Sequence, residues 1–246
     1  MFQEIQQETP AVVTEGDLVG LPEPVQQWLR FSGIIGREQA VTVKLTQEGQ
    51  FRRSPDGKWM PFTATQYYTT PQPAFLWQAK IRMAPLLPLK VRDKYMHGQG
   101  HMLGKLLGLF PVVDASGPKL DQATLLRYLN EIMWFPSAAL ADYISWEAIG
   151  DSSAKATMKY GGVEASAVFY YNEKGAIVNM VADRYREVNG EFRLDQWSTP
   201  ISAYRQFNGV TVPSEGQGVW NLSSGDFAYI KLEITSLEYN VSLEQF

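Results

Sequence analysis

The polar constellation with the most specific spacing is Arg127, Glu131 and Trp134, at i, i+4 and i+7 of a segment with helical periodicity. That spacing puts a charge pair and an indole on one helical face. Three uses are open to it. As a solvent-facing pair it contributes about 0.3–0.5 kcal/mol, and Arg ahead of Glu is the poorer order. As a buried pair, with Arg127 tied to a carboxylate and to backbone carbonyls, it fixes the helix against whatever covers it. As a ligand or catalytic site it would act on a bound molecule, but perturbed ion pairs are more often structural than active.

Other residue types capable of chemistry give less. His97 and His101 are the only histidines, spaced HGQGH, with Asp93 four residues ahead. Helical metal pairs use i, i+4 spacing, but Gly98 and Gly100 argue against a helix and no third ligand follows, so a glycine-rich turn at a strand end is the commoner outcome. GQGHMLGK fails as a phosphate loop: Gln99 stands where the first glycine belongs, and Leu106 follows Lys105 where Ser or Thr would hold magnesium. No G-x-S-x-G elbow occurs. Asp183 with Glu187 or Asp195 lies in strand-like sequence, from which no glycosidase pair can be argued. The aromatic series Trp59, Phe62, Tyr67, Tyr68, Phe75 and Trp77 could line a pocket, though core is the default for such residues.

The 246 residues, 45% of them hydrophobic and 13% aromatic, are enough for a sizeable core. The net charge of −4 and the lack of a basic block give a nucleic-acid partner no support. With no cysteine there are no disulfides, thiolate chemistry or Cys-ligated metal. No cofactor and no metal are expected. The start, MFQEIQQETPAVVTEGD, lacks the basic lead and apolar run of a signal peptide. The longest apolar run, residues 106–113, is broken by Gly108 and Pro111 and falls short of the roughly 20 residues of a membrane span. The chain as given reads as soluble. An N-terminal anchor removed from it would place it at the cell envelope, near a membrane; otherwise it belongs in the cytoplasm.

The elements that must position these residues read as α+β. Residues 1–20 form a loose arm, and 21–35 a short helix with Pro24 in its first turn and Gly33 at its end. From Val41 the pattern alternates, with Val41, Val43 and Leu45 on one face; Asp-Gly at 56–57 and Asn-Gly at 189–190 mark hairpins. Residues 101–117 break the pattern and read as a mobile apolar loop or short helix. A central helix spans 121–142, capped by Asp121 and ended or kinked by Pro136, with Leu125, Leu129, Ile132 and Pro136 as its apolar stripe. Roughly ten antiparallel strands flank it, in one domain over 1–246. A sheet that large curls, and the central helix is the one long apolar element that can fill its concave face.

Arg127-x-x-x-Glu131-x-x-Trp134-x-Pro136, with Ala139-Leu140 and Trp146, resembles a bacterial family of uncharacterised domains. Asp93-x-Tyr95-x-x-Gly98-x-Gly100 fits it too, as does the series Trp197, Tyr204, Gly209, Pro213 and Trp220; the resemblance covers about residues 21–240. It implies membership and no activity; members often carry N-terminal membrane segments. The strand–helix–strand order also resembles the lipoprotein-carrier (LolA/LolB-like) fold, an incomplete β-barrel closed over apolar space by helices. By analogy of fold, the expected function is non-catalytic binding or carriage of a hydrophobic molecule, a lipid or acyl chain, between sheet and helix. Arg127, Glu131, Trp134, Trp77, Tyr95 and Phe110 are the expected ligand-binding residues. The alternatives are an enzyme acting on a small or lipidic substrate through Arg127 and Glu131, which needs both heads to face open space, and a cell-envelope interaction module using an exposed apolar patch.

Overall fold

The computed structural model describes residues 10–188 and 190–242. Alternation in the first β region translates directly into strand faces. In β1 (Thr42–Phe51) Val43 and Leu45 are fully buried, and in β3 (Ala74–Ala84) Phe75, Trp77, Ala79 and Ile81 point inward while Gln78, Lys80 and Arg82 point out. Between and beyond them run β2 (Met60–Thr69), β4 (Leu87–Met96), β5 (Gln99–Leu106) and β6 (Phe110–Ser116). After the central helix come β7 (Ile144–Gly150), β8 (Ser153–Tyr160), β9 (Val163–Tyr171), β10 (Ile177–Val188), β11 (Glu191–Ser198), β12 (Ile201–Phe207), β13 (Val210–Leu222) and β14 (Gly225–Tyr239). All belong to one antiparallel sheet in the order β6-β5-β4-β3-β2-β1-β14-β13-β11-β10-β9-β8-β7, with β12 paired to β13.

The described residues form fourteen strands where ten are expected; two of the additional ones, β5 and β6, take up residues expected as a loop or short helix. Gly100 and Gly104 in β5, Gly108 in the turn after it and Pro111 in β6 hid them. Gly100 sits where the central helix crosses the sheet: a Cβ there would overlap Thr124 Oγ1 and lie 2.9 Å from Leu120 O. The missing side chain makes room for the helix and does not mark a turn.

The central helix, α2 (Pro118–Glu131), also differs from its expected bounds. It starts three residues earlier because Pro118 is pre-set for a first helical turn behind Gly117 at φ 116°. Asp121 does not cap it; its carboxylate accepts the Gly100 N–H at 2.7 Å and so ties β5 to the helix. Beyond Glu131 the chain tightens into 3-10 turns at Ile132–Trp134 and Pro136–Leu140, separated by Phe135 at φ −138°, ψ 71°. Proline bars its predecessor from helical geometry, so the break falls before Pro136. The stripe Leu125, Leu129 and Ile132 is fully buried.

α2 packs against β4, β5 and β6 on one flank and against β8, β9 and β10 on the other. One helix can touch both flanks of a single sheet only if the sheet curls around it. Register shifts in β1/β14, β13/β14 and β9/β10 supply extra twist. At one end the curl closes: the β4–β5 turn meets the β8–β9 turn backbone to backbone, where a Cβ on Gly98 would lie 2.6 Å from Gly161 O. The opposite end carries the β1–β2, β3–β4 and β5–β6 hairpins, and there the space between sheet and α2 reaches exposed Arg53, Val112 and Val113.

The N-terminal helix, α1 (Glu23–Ser32), buries Val25, Trp28 and Leu29 and ends at Gly33 in the left-handed region, φ 75°. Residues 10–20 are not a loose arm. Val13 and Leu18 are fully buried, and Val13 exchanges backbone hydrogen bonds with Arg37 and Gly36. Residues 1–9, and Asn189 of the expected Asn-Gly turn, lie outside the described residues.

Candidate functional site

Four adjacent strands each present one polar or indole group to the same face of α2. Gln66 on β2, Trp77 on β3 and Asp93 on β4 are direct cross-strand partners, and Gln47 on β1 lies on the diagonal. Arg127 reaches into this row. Its Nε donates to Glu131 Oε1 at 2.8 Å, one Nη to Asp93 Oδ2 at 2.6 Å and the other to Gln66 Oε1 at 3.2 Å. Glu131 Oε2 accepts from Gln66 Nε2 at 2.8 Å and from the Tyr68 hydroxyl at 3.0 Å. Trp77 Nε1 donates to Gln47 Oε1 at 3.1 Å. The guanidinium also lies 4.9 Å from the Phe75 ring centre and 5.0 Å from that of Trp77.

Side chains of Arg127, Asp93 and Glu131 are 15%, 1% and 7% exposed, so the pair is buried and not solvent-facing, with Arg127 tied to two carboxylates and the Gln66 side-chain amide in place of the expected backbone carbonyls. Burial works against the charged guanidinium, but Glu131 and Asp93 outweigh it and hold its pKa above the ordinary arginine value. Burial, and then the Glu131 charge, push the Tyr68 hydroxyl well above the usual tyrosine value, which keeps it a donor. One acceptor is left over: Asp93 Oδ1 is buried without a partner among the described residues.

This network forms part of the wall of a cavity of about 450 Å3 between the sheet and α2. Phe62, Trp77, Ile81, Val91, Met133 and Trp134 give it an apolar lining. On the far side of α2, Arg184 and Trp197 also line it; the guanidinium stacks 4.5 Å from the indole, whose Nε1 is buried without a partner among the described residues. The lining continues outward to exposed Arg53, Val112 and Val113 at the open end of the half-barrel.

The structure brings Arg127, Glu131, Trp134 and Trp77 together on one cavity. Tyr95 is fully buried behind it, stacked on Phe75 at 6.2 Å, with its hydroxyl pKa raised by burial. Phe110 is 61% exposed on the edge strand β6, outside the lining. His101 pairs with Asp114 at 2.8 Å while His97 is exposed in the β4–β5 turn; among the described residues no three metal-ligating side chains gather. Gln47, Gln66, Arg184 and the cavity-facing role of Asp93 carried no local signal. Glutamines at inward strand positions were the one hint, since a buried polar residue in a strand implies a partner.

Fold and cavity together define an antiparallel half-barrel closed on an internal apolar space by one helix. The chain belongs to a family of unknown function, DUF6544, which matches residues 11–232. It is similar to a LolA superfamily protein from Nitrosomonas europaea, at 12% identity over 90% of this chain and 96% of that one, TM-score 0.48. It is also similar to a putative outer membrane lipoprotein-sorting protein domain from Vibrio parahaemolyticus, at 7% identity over 83% and 87% of the two chains, TM-score 0.43. None of the curated proteins matches. Among the described residues no helix is long and apolar enough to cross a membrane.

Proposed function

We propose that the protein binds and carries a hydrophobic molecule, a lipid or acyl chain, in the space between sheet and α2, without chemistry on it. The observation that carries this reading is the cavity: its size falls within the range of small-molecule sites, about 300–1,000 Å3, and its wall is apolar with a few converging polar groups. In this reading Trp77 and Trp134 flank the chain, Arg127 and Asp93 meet its polar end, Tyr95 backs the wall and Phe110 stands at the entrance. Both oxygens of Glu131 are taken by Arg127, Gln66 and Tyr68, which removes the support for an acid–base role at that residue.

Burying about ten methylenes contributes about 8 kcal/mol at ~0.8 kcal/mol each. Trp77 and Trp134 make indole fluorescence a direct reporter. Native mass spectrometry after mild purification, and titration with a fluorescent fatty-acid probe, test the reading. Uptake in wild type and its loss in Val91→Trp, which fills the space, is the expected pair of results. An empty protein that takes up no lipid or fatty-acid probe refutes it.

A further inference from the structure

The outer face of β3–β5 is strongly basic, although the chain as a whole carries −4. Lys80, Lys90 and Lys105 are direct cross-strand partners, a row of three like charges. Like charges directly opposite one another destabilise a sheet. On the same outward register stand Arg82, Arg92 and Lys94. None of these six pairs with a carboxylate of the described residues; the acids nearby are Glu48, two strands from Lys80, Glu215 and Glu233, which share a groove with Lys80 and Arg82 and of which Glu233 is held by Arg205, and Asp114, which is held by His101. Lys80, Lys90, Lys105 and Arg92 share one shallow groove.

This face runs into two apolar hairpin tips. The β3–β4 turn presents Leu86, 95% exposed, and the β5–β6 turn presents Leu107, Leu109 and Phe110. The tips are neighbours, since Leu107 N–H donates to Pro88 O at 2.9 Å, and the Lys90 side chain lies against Gly108 in the second turn. Leu86 and Leu107 both adopt left-handed backbone, φ 64° and 54°. For a leucine that conformation costs about 1–2 kcal/mol, where Gly or Asn would fit freely. Strained, solvent-facing leucines beside an unpaired basic row gain nothing in water.

We propose that this end of the half-barrel docks on an anionic lipid bilayer, the lysine row on the headgroups and Leu86, Leu109 and Phe110 inserted among the acyl chains. The apolar tips favour a bilayer over a soluble polyanion, because a nucleic acid or acidic peptide would leave them in water. The orientation turns the cavity's open end, with Val112 and Val113 in its wall, toward the membrane. The proposal stands independently of whether the cavity holds a ligand.

Sedimentation of the full chain with phosphatidylcholine vesicles, with and without phosphatidylglycerol, tests it. Binding is expected only with the anionic lipid, and it should fall as salt approaches about 1 M, where the screening length is about 3 Å. Lys80→Glu/Lys90→Glu/Lys105→Glu should weaken it by at least about a hundredfold, and Leu86→Ser/Leu109→Ser/Phe110→Ser by at least about tenfold. All six positions lie on the outer surface or the tips, and an unchanged circular dichroism spectrum verifies folding. Equal binding to both vesicle types, no binding to either, or binding to heparin with none to vesicles overturns the proposal.

Discussion

Arg127→Met is the sharpest probe of the central network. Methionine keeps much of the apolar stem but leaves Asp93 and Glu131 as two carboxylates, 1% and 7% exposed, without their cation. Removing one partner of a buried pair costs about 3–5 kcal/mol, because the remaining charge stays desolvated. The loss is a large share of a domain's usual total of about 5–15 kcal/mol. At about 2–4 °C per kcal/mol for a chain of this size it corresponds to a fall in Tm of roughly 6–20 °C. Urea unfolding followed by tryptophan fluorescence should show the midpoint falling at constant slope. The triple variant Arg127→Met/Asp93→Asn/Glu131→Gln should recover about half of the loss or more, since it removes the orphaned charges as well. A loss below about 1 kcal/mol, the value of a surface pair, would refute the claim that these groups form a buried, coupled unit.

Further outcomes follow from the same geometry. Burial raises the hydroxyl pKa of Tyr68, Tyr95, Tyr128 and Tyr171 in the folded state. The folded chain therefore holds these protons more tightly than the unfolded chain. Stability should be intact below the unfolded value near pH 10 and then fall by about 1.4 kcal/mol per pH unit for each such group. Tyrosinate absorbance should rise in step with loss of far-ultraviolet circular dichroism, and ionisation of these tyrosines without unfolding would contradict their burial. Gly98→Ala should cost about 2 kcal/mol or more in urea unfolding, from left-handed strain and collision with Gly161; a neutral effect would show that the closed end of the curl is loose. Thr199→Val removes the donor to the buried Asn130 Oδ1 at 2.8 Å and should cost about 1–3 kcal/mol, read the same way.

How much of this was legible in the sequence depended on whether the signal was local. Alternation at 43–46, the amphipathic stripe through Leu125 and Leu129, and Gly33 at a helix end are set by neighbouring residues, and each stands where the pattern put it; Val41 falls outside β1 and Thr42 is buried. The pairing of Arg127 with Glu131 was visible too, because four residues is one helical turn. Strand β5 was not, since Gly100 is explained by a helix crossing over it. A local reading takes such a glycine for a turn.

The sequence alone determined the class: an antiparallel sheet with one long helix to fill it, written in periodicities of two and 3.6 residues. Tertiary structure alone decided what the faces do. Gln66, Trp77 and Asp93, far apart in sequence, meet because three strands pair in register, and the same registration lines up Lys80, Lys90 and Lys105 on the reverse face. Charge counted along the chain cannot reveal either row, because strand pairing turns positions ten and more residues apart into neighbours about 5 Å apart.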